Sequence, residues 1–188
     1  MVAGWPIQVM GRVACAVLAL AAVLPARAAP VEELTGYRLS DYRAPTPAGL
    51  TGAVTLDADG VRALLERGEA MPLFVQRLDR SPTLPGAPWL LSKPYRQIPG
   101  SVWLPNVGLG APDPATLAWF QQHLDRLSGG DRARGLLFYC LSDCWLSWNA
   151  AKRALSLGHT RVYWFPAGID GWLEAGLPSE EATPLPGP

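Results

Sequence analysis

The stretch that decides the fold is FYCLSDCW, residues Phe138 to Trp145. It closes an apolar run that begins at Leu136, and Cys140 follows that run directly. Cys144 comes four positions later, with Trp145 behind it. A short continuous apolar run suits a strand buried on both faces, so residues 136–139 are expected to form a strand with Cys140 at its carboxyl end. A helix is expected from about Trp145 to Leu157, closed by Gly158 at its C-cap. Open α/β sheets form their sites beyond the carboxyl ends of their strands, and both cysteines fall there. Unpaired backbone N–H groups at a helix start attract negative charge. A thiolate there is stabilised, so Cys140 has a route to nucleophilicity that needs no histidine.

The pair has other readings at this point. Two ordinary core cysteines are one. A permanent disulfide is another, although so short a loop gains little in chain entropy. A metal pair is a third, but structural zinc takes four Cys or His ligands and only His123 and His159 accompany the cysteines. Both histidines fit helix packing or a helix-end turn better, so neither a metal nor a cofactor is expected.

Outward from the loop, helix and strand signals alternate. Residues 53–56 form a short strand signal. Asp57-Ala58-Asp59-Gly60 follows with helix-start chemistry, and Val61, Leu64 and Leu65 form one helical face ending at Gly68. Residues 73–76 and 101–104 are further short strand signals. Between them, the proline-rich residues 80–99 are expected to form a long irregular loop. Asp113-Pro114 opens a helix, with Asp as N-cap and Pro at its first position. Leu117, Phe120, His123, Leu124 and Leu127 face inward, and Gly129-Gly130 stops the helix. Residues 161–165 are the next strand. This alternation predicts an α/β domain with a mainly parallel sheet flanked by helices.

The ends read differently. Residues 13–24 are uncharged and apolar, and Pro25-Ala26-Arg27-Ala28 offers the small-x-small pattern of a secretory cleavage site. Residues 1–28 are therefore expected to be a signal peptide that carries Cys15 away, leaving 160 of the 188 residues and no stable membrane insertion. The expected location is the periplasm, an oxidising setting in which two exported cysteines are able to pair. Residues 29–50 are expected to be an extended arm in which Leu34, Tyr37, Leu39 and Tyr42 are able to pack, residues 51–180 the domain, and residues 181–188 a flexible tail. Fourteen basic against 16 acidic residues beyond position 28, with no basic stripe, argue against nucleic acid as a partner.

GLLFYC, LSDCW and the helix near LSWNAAKRA resemble the strand, loop and helix around the catalytic cysteine of rhodanese-like domains. QIPGSVWLPN (97–106) and LGHTRVYWFPAGIDGWLEAGLP (157–178) are similar to that family's flanking segments. The likeness covers about residues 51–178 and implies a single rhodanese-like α/β domain. YCLSDCWLSWNAAKRA is further similar to exported rhodanese-like proteins called PQQ-dependent catabolism-associated CXXCW motif proteins, although three residues rather than two separate the cysteines here. That likeness implies a thiol redox partner or a periplasmic quinoprotein dehydrogenase system as partner.

The loop departs from a sulfurtransferase loop of the form Cys-Arg-x-Gly-x-Arg. Leu141 and Trp145 replace its arginines and Asp143 its glycine. Each charge-assisted hydrogen bond lost to a dianion such as thiosulfate costs roughly 1.5–3 kcal/mol. Remote cations such as Arg77, Arg96 or Lys152 remain to compensate. The resulting expectation is thiol chemistry at Cys140, either sulfur transfer or dithiol–disulfide exchange, with Cys140 as nucleophile and Cys144 resolving. Leu141, Ser142, Asp143 and Trp145 are the expected substrate-binding residues, with Asp143 as a helix cap and Trp145 as a flat apolar contact or, at helical spacing with Trp148, packed against the sheet and the arm. A catalytically inactive accessory module and a copper-delivery protein are the alternatives.

Overall fold

The computed structural model describes residues 1, 2, 4, 29–80 and 88–188. The signal peptide expected over residues 1–28 lies outside the described residues except for Met1, Val2 and Gly4. No helix among the described residues is long and apolar enough to cross a membrane.

Five strands build one parallel sheet: β1 (Ala53–Thr55), β2 (Ala70–Phe74), β6 (Val102–Trp103), β7 (Gly135–Tyr139) and β8 (Val162–Phe165). Their spatial order is β1-β8-β7-β2-β6, and every neighbouring pair runs parallel. Helices α1 (Ala58–Glu66), α2 (Pro114–Ser128), α3 (Trp145–Ser156) and α4 (Gly168–Glu174) complete the domain. Leu73, Phe138 and Trp164 lie in one buried cluster with residues of α2 and α3. Phe74, Leu137, Tyr139 and Phe165 lie in the other, with residues of α1 and α4. Successive strand residues thus enter opposite layers, as the twofold strand period requires. Both faces of the sheet are covered, which is why its strands read as continuous apolar runs. Each large side chain so buried contributes roughly 1.5–3 kcal/mol.

The helix boundaries follow their caps. Asp57 Oδ1 accepts from Gly60 N at 2.8 Å, and Asp113 Oδ1 accepts from Thr116 N at 2.9 Å. Gly129 ends α2 in the left-handed conformation, with φ of 64°. The strand expected at 73–76 begins three residues earlier, at Ala70 and across Pro72. Proline is tolerated there for a geometric reason. Phe74 O accepts from Leu104 N on the β6 side, whereas Val75 N donates to Tyr139 O on the β7 side. Residues two apart face the same way, so Pro72 points toward β6. That strand's first partner is Leu73, so Pro72 has no neighbour there that needs its missing N–H.

Three local differences from the sequence reading stand out. The loop expected over 80–99 carries a two-stranded antiparallel ladder, β3 (Asp79–Arg80) with β4 (Trp89–Leu90), and then β5 (Arg96–Gln97). Helix α4 had no periodic signal because it spans only seven residues. The tail expected to be flexible is laid along the domain. Its β9 (Glu180–Glu181) pairs antiparallel with β5, Ala182 N donates to Tyr95 O at 2.9 Å, and Leu185 N donates to Trp103 O at 3.0 Å. Trp89 Nε1 donates to Leu185 O at 2.7 Å, and the Arg80 guanidinium reaches the Pro188 carbonyl. Backbone ladder bonds, which side-chain patterning does not announce, hold this segment.

Candidate functional site

Cys140 leaves the carboxyl end of β7 between β2 and β8, where the sheet places it at the foot of α3. Its sulfur is joined in a disulfide to Cys144, the N-cap residue of α3, with 6.1 Å between the two Cα atoms. Both residues are buried, and both belong to the cluster that includes Val75, Leu104, Phe138 and Trp145. Gln76 Oε1 approaches Cys140 Sγ to 3.0 Å. A disulfide sulfur carries no proton, so this approach becomes a hydrogen bond only when Cys140 is a thiol.

The loop between the cysteines is held from two sides. Ser142 donates both its backbone N, at 2.9 Å, and its Oγ, at 3.1 Å, to Asp170 Oδ2 in the first turn of α4. Ile169 N donates to Cys140 O at 2.9 Å. Gly168 makes that contact possible. Its φ is 57°, and a side chain there would collide with the Cys140 carbonyl. On the other side, Trp145 N donates to Tyr42 O at 2.8 Å, and Ala44 N donates to Asp143 O at 3.0 Å. Arg43 and Cys144 thereby form an antiparallel bridge. The amides expected to cradle an ionised sulfur are thus partly engaged already, Ser142 N by a carboxylate and Trp145 N by a carbonyl.

The arm that supplies those bonds is well anchored. Asn149, buried on α3, accepts from Arg38 N at 3.0 Å and donates to Arg38 O and Gly108 O, both at 2.9 Å. Trp145 Nε1 donates to Pro45 O at 3.1 Å, and Trp148 Nε1 donates to Gly49 O at 3.3 Å. The two indoles meet edge to face, with centroids 5.3 Å apart. Leu34 and Tyr42 pack against the core, whereas Leu39 is exposed.

A cleft of about 450 Å³ opens beside the disulfide, lined by Asp41, Tyr42, Arg43, Gln76, Arg77, Cys144 and Leu146. Of the residues expected to act or bind, only Cys144 lines it. Leu141 packs between the two cores. Asp143 is exposed, with φ of 48°, and is not the expected cap, because the chain turns into α3 one residue later, at Cys144. Trp145 is enclosed by the arm and offers no open face. Among the distant cations, Arg77 reaches the cleft while pairing with Asp79 at 3.0 Å. Arg96 instead binds Ser179, and Lys152 binds Leu34 O. Arg43 and Gln76 carried no motif, and Asp170, within the 157–178 segment, reads as a turn or cap residue rather than a partner of the loop. Gln76 was accessible to the strand-end rule, because it lies just past the end of β2, beside β7.

Nearby ionisable groups are structural. Burial pushes the Tyr139 hydroxyl well above its ordinary pKa, against the hydrogen bonds from Ser101 and Ile98, so it stays neutral while tying β7 to residues 98–101. Burial lowers the pKa of Arg153, whose guanidinium donates to Val107 O at 2.7 Å and Leu109 O at 3.1 Å. Among the described residues, no three His, Cys, Asp or Glu side chains are grouped to hold a metal ion.

Residues 92–175 match the family model described as the Rhodanese-like domain. No curated protein matches the chain. Among solved structures, thiosulfate sulfurtransferase from Pseudomonas aeruginosa is 21% identical with a TM-score of 0.48, covering 70% of this chain and 21% of its own. The 3-mercaptopyruvate sulfotransferase from Escherichia coli is 19% identical with a TM-score of 0.46, covering 72% of this chain and 53% of its own. The polysulfide-sulfur transferase homodimer from Wolinella succinogenes is 20% identical with a TM-score of 0.42, covering 70% of this chain and 81% of that one. This chain therefore spans only about a fifth of the Pseudomonas protein's length. The matched segment takes in everything from β5 to α4, the cysteine loop included, and over that stretch the chain is similar to the rhodanese-like domain.

Proposed function

We propose that this protein performs dithiol–disulfide exchange through Cys140 and Cys144. The observation that carries the reading is the disulfide itself, formed across the loop with Cys144 at the N-cap of a 12-residue helix and on the wall of a cleft. A helix N-terminus favours negative charge, so Cys144 is the better-placed thiolate once the bond opens. In the reducing direction, a partner thiolate attacks Cys144 Sγ and the S–S bond breaks. Cys140 Sγ leaves with the electron pair and takes a proton. The partner's second thiolate then attacks its own sulfur in the mixed disulfide and releases Cys144. Two electrons and two protons pass from the partner dithiol to the pair, and the reverse sequence oxidises it. The roles expected for the two cysteines are thereby exchanged, with Cys144 meeting the partner and Cys140 resolving.

Sulfur transfer is the other thiol chemistry of such a domain. It is less favoured here because two loop amides are bonded within the chain and the loop carries no guanidinium. The apolar amino terminus and the likeness to the CXXCW motif proteins support placing the exchange in the periplasm, accessory to PQQ-dependent alcohol oxidation.

The test uses the full mature chain. Glutathione buffers of graded ratio are expected to reduce and reform the disulfide reversibly. A reduced Cys140→Ser variant is expected to form a mixed disulfide with an aromatic disulfide reagent faster than Cys144→Ser does. A bond that opens only on denaturation would sink the reading. Cyanide-dependent thiocyanate production from thiosulfate that survives in Cys144→Ser would move the assignment to sulfur transfer.

A further inference from the structure

The carboxamide at the end of β2 has no part in the exchange as written, yet it touches the sulfur that leaves. Gln76 Oε1 lies 3.0 Å from Cys140 Sγ. Its backbone is fixed: Gln76 O accepts from the buried Trp103 Nε1 at 2.9 Å, and the preceding residue, Val75, donates its N–H to Tyr139 O at 3.1 Å. Cys140 is fully buried, so water does not compete for a thiol proton there. A carbonyl-type oxygen is an acceptor only. It gains a hydrogen bond when Cys140 holds a proton and has none when Cys140 is in the disulfide.

Resting on the exchange reading above, we propose that Gln76 is a positioning residue that sets the redox balance of the pair, by receiving the Cys140 S–H hydrogen bond in the dithiol form. Reduction by a partner dithiol delivers one proton to Cys140 Sγ, and Gln76 Oε1 accepts its hydrogen bond. Oxidation removes that proton and the bond with it. The interaction exists in one state of the cycle only, so it shifts the equilibrium toward the dithiol. It also aims the Cys140 sulfur along a fixed direction for resolving a mixed disulfide on Cys144.

The experiment compares the full chain with Gln76→Leu and Gln76→Glu at equilibrium in glutathione buffers near neutral pH. Gln76→Leu removes the acceptor and is expected to shift the equilibrium about threefold toward the disulfide, within the range of one modest hydrogen bond. Gln76→Glu supplies a stronger, charged acceptor and is expected to shift it the opposite way, with a pH dependence that differs from wild type because the added carboxylate titrates. A purely structural role for Gln76 would lower stability in both variants without moving the balance in opposite directions. Shifts of the same sign, or no shift, overturn the proposal. A second readout does not depend on turnover: the infrared S–H stretch of Cys140 in Cys144→Ser is expected at lower frequency than in the same variant carrying Gln76→Leu. Equal frequencies overturn the proposal. If the wild-type pair fails to equilibrate while the two frequencies differ, it is the exchange reading that falls and the hydrogen bond stands.

Discussion

The first half of the cysteine loop belongs to the sheet, and the second half belongs to the arm. Cys140 to Ser142 are held by β7 and by the start of α4, through Ile169 N and the Asp170 carboxylate. Asp143 to Trp145 are held by Tyr42 and Ala44, which lie about 100 residues earlier and reach the loop along its backbone. The same few residues therefore rest on a rigid support at one end and on a removable one at the other. Core strands open only with global unfolding, whereas a peripheral segment held by a limited set of hydrogen bonds and contacts opens at lower cost. One disulfide spans the boundary between them.

The sharpest way to break this contrast is at Gly168. Gly168→Ala forces a side chain onto the Cys140 carbonyl at a positive φ, and a loss of roughly 3 kcal/mol is expected by urea unfolding. A loss near zero would mean that the sheet side is not rigid. On the arm side, Asn149→Leu strips three hydrogen bonds from Arg38 and Gly108, and a stability loss of roughly 2 kcal/mol is expected. Its distinguishing effect is kinetic. Reduction of the disulfide by excess thiol is expected to become about tenfold faster, since 1.4 kcal/mol of easier opening already corresponds to that factor. If Gly168→Ala accelerated reduction more than Asn149→Leu did, the assignment of the removable side would be reversed.

Asp170→Ala removes two hydrogen bonds to Ser142, one from its backbone and one from its hydroxyl. It is expected to cost about 1.5 kcal/mol while leaving the reduction rate within about threefold of wild type. The smallest effect lies away from the loop. Burial lowers the pKa of His159, whose ring accepts from Arg132 at Nε2 at 2.8 Å. The unfolded chain therefore binds a proton that the folded chain resists. Stability is full above the ordinary histidine value of about 6.5 and is lost as pH falls through it toward the lowered folded value. Denaturation midpoints at pH 7.5 and 5.5 are expected to differ less in His159→Gln than in wild type. Histidine-independent midpoints would assign the acid sensitivity to carboxylates.

The sheet, both capped helices and the position of Cys140 were legible because each rests on a local pattern. Apolar runs marked β7 and β8, Asp113-Pro114 marked the start of α2, and the strand end marked the cysteine. The register of β2 was not legible, because tolerance of Pro72 depends on where its neighbour begins. The cleft was not legible either. Its walls come from residues 41–43, 76–77 and 144–146, and nothing local in any of those segments signals the others. Asp170 sits in the first turn of a seven-residue helix, too short to show periodicity, and its role exists only because Gly168 lets α4 meet the loop. Trp145 was open to two readings, a contact for substrate or packing against the sheet and the arm. It packs on the arm, where an indole with an N–H to satisfy finds Pro45 O at 3.1 Å.

The bridge between Arg43 and Cys144 has a bearing on rate. Cys144 lines the cleft but is almost wholly buried, so a reagent seeking its sulfur is expected to react only when residues 42–44 lift. Observed rates then climb with reagent concentration only until every lifting event is captured, and they level off at the lifting frequency. Shortening the arm raises that plateau, while changing the reagent leaves it where it is.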